Sequence, residues 1–175
     1  MKTLQILMST YNGVQYIREQ LDSLLEQDCE KFGRAAFKIL IRDDGSTDGT
    51  QEILEEYARR SPGKIVWYQG ENKGVIQSFF EVLGKAERSD YYAFCDQDDY
   101  WMPSKMTRAV EVLDTMSEQK PSLYCCRPKL VDKDLGPLES EIVRPPMRPD
   151  FRNAVIENIV TGCTAVFNRK LCEMV

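Results

Sequence analysis

The feature that most constrains this chain is a unit that occurs four times: a short apolar strand, a polar loop, and then apolar residues at helical spacing. The four predicted strands are residues 4–8, 37–41, 65–68 and 91–95. Strands that alternate with helices in this way form a mostly parallel sheet with helices on both faces. The sequence therefore predicts an α/β fold, and its 175 residues fit a single domain.

Each of the four predicted strands ends in a polar loop that contains Asp, Asn, Gly or Ser. Ligands of parallel α/β sheets bind beyond the carboxyl ends of the strands. We therefore expect one edge of the sheet to collect these loops and to form the binding site. The loop residues are Ser9 to Asn12, Asp43 and Asp44, Asn72 to Gly74, and Asp96 to Asp99.

Three carboxylates follow the fourth predicted strand within four positions. In an extended chain, alternation would place Asp96 and Asp98 on one side and Asp99 on the other. Two like charges about 4 Å apart repel by about 4 kcal/mol at the effective dielectric of a protein surface, so a bound divalent cation is the favoured interpretation. The alternative is a solvated acidic turn. The apolar residues before the carboxylates and Trp101 after them favour the cation site.

Composition excludes several classes of function. The chain has no histidine, which excludes Ser-His-Asp and Cys-His catalysis and zinc sites that need imidazole. Its six cysteines contain no C-x-x-C pair and are predicted to be reduced. The net charge of −5 argues against a nucleic-acid surface. No apolar run approaches the roughly 20 residues that span a bilayer. We predict a cytoplasmic protein, and association with the membrane surface stays open.

The pattern is looser after residue 120. Residues 122–126 and 162–167 are predicted strands, and Asn168 is predicted to cap a helix that begins at Arg169. A long connection with several prolines is predicted over residues 128–149. Because the last predicted helix covers only a few residues, we expect the chain to be part of a longer protein.

Taken together, the strand-end loops resemble those of the family 2 glycosyltransferases, which are inverting enzymes with the GT-A fold. Four matching motifs occur in the family's order over essentially the whole chain, and the last, with Trp101 and Lys105, resembles the bacterial rhamnosyltransferase-like subgroup. The motifs are Met8-Ser9-Thr10-Tyr11-Asn12, Arg42-Asp43-Asp44-Gly45-Ser46-Thr47-Asp48, Asn72-Lys73-Gly74 and Cys95-Asp96-Gln97-Asp98-Asp99-Tyr100-Trp101.

The resemblance implies a nucleoside-diphosphate sugar as donor, UDP- or dTDP-linked, and a glycan or lipid-linked acceptor used in surface polysaccharide or glycan synthesis. Asp43, with Asp44 behind it, would accept a hydrogen bond from the pyrimidine N3–H. The implied metal ligands are Asp96, which also faces the ribose, and Asp98, with Mg²⁺ or Mn²⁺ on the pyrophosphate. The full set of implied donor-binding residues is Ser9, Thr10, Tyr11, Asn12, Asp43, Asp44, Lys73, Asp96 and Gln97.

The chain departs from the family pattern at the general base. The family uses a carboxylate after the acceptor-side strand, but Glu173 is the only acidic residue after Gly162. We therefore expect the base, and part of the acceptor-side half of the domain, to lie beyond Val175. Two alternatives stay open. One is a haloacid dehalogenase-type phosphatase, with Asp96 as nucleophile and Asp98 as acid/base. The other is an inactive nucleotide-binding module.

Overall fold

A sheet of six strands forms the centre of the protein. The computed structural model describes residues 1–132, 135–136, 138 and 160–175. In these residues the strands are β1 (Lys2–Thr10), β2 (Ala35–Asp43), β3 (Ile65–Gln69), β4 (Tyr91–Cys95), β5 (Leu123–Cys125) and β6 (Ala165–Asn168). The helices are α1 (Ile17–Leu25), α2 (Thr50–Arg60), α3 (Val75–Gly84), α4 (Lys105–Leu113) and α5 (Arg169–Cys172).

The strand order is β3-β2-β1-β4-β6-β5. β1 pairs in parallel with β2 and β4, and β3 pairs in parallel with β2. β6 is antiparallel to both of its neighbours, β4 and β5. The predicted mostly parallel α/β sheet is therefore confirmed. The four parallel strands end at the same edge, as the sequence analysis expected.

Residues of β1 alternate between the two faces of the sheet, and each face has its own apolar core. Ile6 and Met8 pack with apolar residues of α1, α2 and α4. Leu7 packs on the other face with Val82 of α3 and Phe167 of β6. Successive side chains of a strand point to opposite faces, so a strand that is apolar throughout needs cover on both sides. The prediction of helices on both faces is confirmed.

The last predicted strand is shorter than expected. Gly162–Thr164 form a 3₁₀ turn, and β6 begins only after it. The turn closes because the backbone N–H and the Oγ1 of Thr164 both donate to the carbonyl of Thr161, at 2.9 and 2.7 Å. The predicted helix cap is confirmed, since the side chain of Asn168 accepts a hydrogen bond from the N–H of Leu171 at 3.0 Å.

Most of the predicted proline-containing connection over residues 128–149 lies outside the described residues. None of the helices in the described part of the chain combines the length and the apolar character that crossing a membrane requires.

Candidate functional site

A cleft of about 410 Å³ lies at the carboxyl edge of the parallel strands. This volume is in the range typical of small-molecule sites. All four strand-end loops contribute to the cleft, together with the first turns of α3. The lining residues are Ser9, Tyr11, Asp44, Asn72, Gly74, Val75, Phe79, Asp96, Gln97 and Asp98. Six of them were predicted site residues: Ser9, Tyr11, Asp44, Asp96, Gln97 and Asp98.

The loop after β1 is fixed to the start of α2. Asn12 adopts a positive φ of 48°, its N–H donates to Ser46 Oγ at 2.9 Å, and its Oδ1 accepts from the Thr47 N–H at 3.0 Å. The N–H of Gly13 donates to Thr50 Oγ1 at 2.9 Å. Asn12 therefore holds the loop in place, and the structure does not include it among the cleft-lining residues. Its predicted contact with the donor stays a prediction.

The two carboxylates that follow β2 occupy different environments. Asp43 is fully buried, and it accepts hydrogen bonds from the Ser46 N–H at 3.0 Å and from Gln51 Nε2 at 2.7 Å. Asp44 is also buried, with 2% of its surface exposed, but it lines the cleft. The predicted role of Asp43 as acceptor of a hydrogen bond from a base stays a prediction. Of the two carboxylates, only Asp44 lines the cleft.

Asp44 shapes the loop that follows β3. Its oxygens accept from the N–H groups of Lys73 and Gly74, each at 2.9 Å. Gly74 has a φ of 78°, a conformation that side-chain-bearing residues rarely adopt. The ammonium of Lys73 pairs with Glu81 of α3. Lys73 is not among the cleft-lining residues, so its predicted role as a charge beside a phosphate stays a prediction.

Arg42 is the buried cation beneath this loop, and the sequence analysis gave it no role. Its side chain is fully buried and forms an ion pair with Asp44. The guanidinium also donates to Glu81 Oε2 at 2.8 Å, to Ser78 Oγ at 2.9 Å and to the carbonyl of Glu71 at 2.8 Å. A guanidinium presents five N–H donors in a fixed fork. Arg42 therefore orients Asp44 and ties α3 to the edge of the sheet.

The carboxylates after β4 do not follow the predicted alternation. β4 ends at Cys95, and the chain then turns, so Asp96 and Asp99 point toward each other. One ligand atom of each of Asp96, Asp99 and Cys163 lies within 4.8 Å of the others. Asp98 is exposed and lines the cleft together with Asp96. The expectation that Asp99 points away from Asp96 was wrong because the extended conformation does not continue beyond Cys95.

Burial and like charge act together on these carboxylates. Burial raises the pKa of the Asp96 carboxyl above its ordinary value, and the charges of Asp99 and Asp98 raise it further. Burial also raises the pKa of Asp99, with a contribution from Asp98. Asp99 Oδ2 is buried and has no hydrogen-bond partner among the described residues. Burial and like charge thus destabilise the ionised forms of Asp96 and Asp99, as expected for carboxylates placed to receive a cation.

Lys105 supplies a positive charge beneath the carboxylates. Its Nζ donates to the carbonyl of Cys163 at 2.5 Å and lies 3.3 Å from the centre of the Trp101 ring system. Burial lowers the pKa of Lys105. Trp101 is itself buried, and its backbone N–H donates to Ser23 Oγ of α1 at 3.1 Å. The Trp and Lys of the fourth motif therefore connect the carboxylate segment to α1, α4 and the turn before β6.

The comparison with protein families agrees with this architecture. The family described as glycosyl transferase family 2 matches residues 5–174. The chain belongs to this family. The family is thus the one implied by the sequence resemblance, and the phosphatase alternative is set aside.

Two relatives show how the similarity is distributed. A protein of Bacillus subtilis named as a teichuronic acid biosynthesis glycosyltransferase, TuaG, is 28% identical over 93% of this chain and 60% of its own length. The dTDP-rhamnosyl transferase RfbG of Shigella flexneri is 37% identical over 61% of this chain and 36% of its own length. The chain therefore spans less than two thirds of the length of each of these relatives.

Solved structures share the fold. Residues 1–349 of S. aureus TarS, in complex with UDP-GlcNAc, match with a TM-score of 0.58 and 31% identity over 70% of this chain and 33% of that one. The mannosyltransferase PcManGT of Pyrobaculum calidifontis, in complex with GDP-Man and Mn²⁺, matches with a TM-score of 0.68 and 22% identity over 98% of this chain and 46% of that one. The predicted GT-A fold is confirmed.

Proposed function

We propose that this protein transfers a sugar from a nucleoside-diphosphate sugar to an acceptor hydroxyl with inversion, and that the cleft binds the donor. The observation that carries the proposal is the meeting of all four strand-end loops in one cleft, which is lined by an exposed aromatic ring and by carboxylates. The TarS complexes with UDP-GlcNAc and UDP support a nucleotide sugar as the ligand. Residues 1–175 would form the nucleotide-sugar-binding domain, without part of the acceptor-side half.

Tyr11 and Asp44 are proposed to bind the nucleobase. The Tyr11 side chain is exposed and lines the cleft, so its ring is available for stacking on a base. Asp44 presents its carboxylate to the same cleft. Each carboxylate oxygen has two lone pairs, and Oδ2 accepts one described hydrogen bond, from Gly74. We therefore favour Asp44 over the deeper Asp43 as the acceptor for a pyrimidine N3–H.

The residues around Asp96 fit a divalent cation. Asp96 and Asp98 line the cleft, and the same segment holds the buried Oδ2 of Asp99, which has no hydrogen-bond partner in the described part of the chain. Carboxylate oxygens are the ligands that Mg²⁺ and Mn²⁺ prefer. Asp96 and Asp98 would hold the ion, which when bound neutralises charge on the departing diphosphate. Asp99 and Lys105 would then fix the position of the segment.

The general base predicted outside residues 1–175 stays a prediction, and with it the inverting course of the reaction. RfbG supports a dTDP-linked donor and a rhamnosyltransferase-like role, and TuaG supports an acceptor in surface polysaccharide synthesis. We propose a glycan or lipid-linked acceptor used at the cytoplasmic side of the membrane.

Calorimetry with UDP, dTDP and their sugars, with and without Mn²⁺, tests the proposal. We expect binding of at least one nucleoside diphosphate, and tighter binding with Mn²⁺. Binding that is unchanged by the cation would contradict the metal site. Failure of every nucleoside diphosphate to bind would contradict the proposed function as a whole. An inactive module would bind nucleotide, but the full-length protein would then turn over no donor sugar.

Tyr11→Ala should weaken binding of UDP or dTDP by about 5-fold to 150-fold, because stacking of a base on an aromatic ring contributes about 1–3 kcal/mol. Tyr16→Ala is the matched control. Both tyrosines are 48% exposed, but Tyr16 does not line the cleft. Titration calorimetry of both variants checks the prediction, and equal losses in the two variants would contradict a stacking role for Tyr11.

A further inference from the structure

The side chain of Gln97 connects two of the loops that line the cleft, the one after β1 and the one after β4. Its Oε1 accepts hydrogen bonds from Thr10 Oγ1 at 2.6 Å and from the Tyr11 N–H at 2.9 Å. Its Nε2 donates to the Tyr11 carbonyl at 3.2 Å. One side chain therefore binds both the N–H and the carbonyl of Tyr11. Gln97 itself lies between Asp96 and Asp98 in the sequence.

The chemistry of these contacts requires an amide. Gln97 accepts two hydrogen bonds and donates one, which neither a carboxylate nor an apolar side chain of the same length can do. Glutamate would lose the donation to Tyr11 and would add a negative charge beside Asp96, Asp98 and Asp99. Asparagine is shorter by one methylene and would not span the same gap.

Gly13 provides independent support for this arrangement. A Cβ added at Gly13 would overlap Gln97 Oε1 and would lie 2.8 Å from its Cδ and 3.0 Å from Thr10 Oγ1. The φ of Gly13 is not in the left-handed region that favours glycine. A side chain at position 13 would therefore displace the Gln97 amide, whereas the backbone conformation itself would accept one. Gly13 and Gln97 therefore pack against each other in a single contact.

We propose that Gln97 is a positioning residue that sets the distance between the nucleobase part of the cleft and its carboxylates. This inference rests on the proposed function and assigns Gln97 a role that does not require contact with the donor. Tyr11 would be pre-organised for stacking while Asp96 and Asp98 face the diphosphate. A donor that contacts both Tyr11 and the carboxylates then binds without first ordering the loop. Pre-organisation of this kind raises affinity.

The test is a double-mutant cycle on Gln97→Met and Gly13→Ala, read as UDP affinity with Mn²⁺. Methionine keeps the length and apolar bulk of glutamine but removes its hydrogen bonds. We expect each single variant to weaken binding about tenfold, from the loss of hydrogen bonds that hold Tyr11. The double variant should bind like either single variant, because both changes remove the same contact. Additive losses, or wild-type affinity in Gln97→Met, would overturn the proposal.

Amide hydrogen exchange separates this inference from the proposed function. The Tyr11 N–H should be protected in the wild-type protein and exchange at least tenfold faster in Gln97→Met, with no nucleotide present. Unchanged exchange would overturn the positioning role even if UDP binds. Wild-type protein that binds no nucleotide but shows the expected change in exchange would contradict only the proposed function. A lower melting temperature in Gln97→Met with unchanged UDP affinity would indicate a purely structural role and would also overturn the proposal.

Discussion

Arg42→Met should lower the free energy of unfolding by about 3–5 kcal/mol, the cost typical of breaking a buried ion pair by removing one partner. Methionine keeps much of the apolar stem but leaves Asp44 as a buried charge whose side chain is only 3% exposed. It also removes the guanidinium donors to Glu81, Ser78 and the Glu71 carbonyl.

Urea unfolding followed by circular dichroism measures this difference. Arg59→Met is the control, because Arg59 is 72% exposed at its side chain and pairs with Glu55 one helical turn away. Exposed pairs of this kind contribute about 0.3–0.5 kcal/mol. A loss below about 1 kcal/mol in Arg42→Met would contradict the proposed support of Asp44. Gly70→Ala should reproduce part of the effect, since a Cβ at Gly70 would overlap the Arg42 guanidinium.

Asp96→Asn should change stability and binding in opposite directions. Without a cation, the variant should be more stable by about 0.5–2 kcal/mol at neutral pH, because the amide removes a partly buried negative charge close to Asp99. With Mn²⁺, its affinity for UDP should fall about 100-fold or more, since removal of even an outer partner of a metal site costs 10-fold to 100-fold. Chemical denaturation and calorimetry measure the two effects separately.

The stability gain should depend on pH. The pKa of Asp96 is raised in the folded protein, so folding favours the protonated carboxyl and the ionised form carries the cost. This cost is present at neutral pH and disappears as the pH falls through the raised pKa to the ordinary value of about 3.9. The advantage of Asp96→Asn should therefore shrink between neutral pH and about pH 4. An advantage that is constant across this range would contradict the assignment.

Asp98→Asn is the matched control for Asp96→Asn. Asp98 also lines the cleft but is exposed to solvent. Its substitution should weaken Mn²⁺-supported binding of UDP while leaving the free energy of unfolding within about 0.5 kcal/mol, as is usual at surface positions. Equal stability gains in the two variants would show that burial of Asp96 is not the cause.

The sequence predicted the elements that depend on local patterns. Apolar runs followed by polar loops located β1 to β4, and the parallel arrangement followed because a helix separates each pair of successive strands. The side chain of Asn168 caps α5 as expected, because capping needs only neighbouring residues. The meeting of the strand-end loops followed from the rule for parallel sheets and not from any single motif.

Contacts between distant residues could not be predicted in this way. Arg42 is charged at the end of a buried strand, and nothing in its neighbourhood indicates that Glu81, on α3, is a partner. Asp96 and Asp99 approach each other because the chain turns after Cys95, whereas the alternation argument assumed that the strand continued. The second error came from applying a regular geometry at the point where the loop departs from it.

The position of β6 has a consequence for the order of folding. β6 lies between β4 and β5 although it follows both in sequence, so that Tyr91 pairs with Asn168. Closing so long a loop costs conformational entropy before the contacts offset it, which favours early formation of the four parallel strands. Cys163 lies in the 3₁₀ turn before β6, so we expect it to reach Asp96 and Asp99 only when that strand docks. We therefore expect the carboxylate cluster to be completed late in the folding reaction.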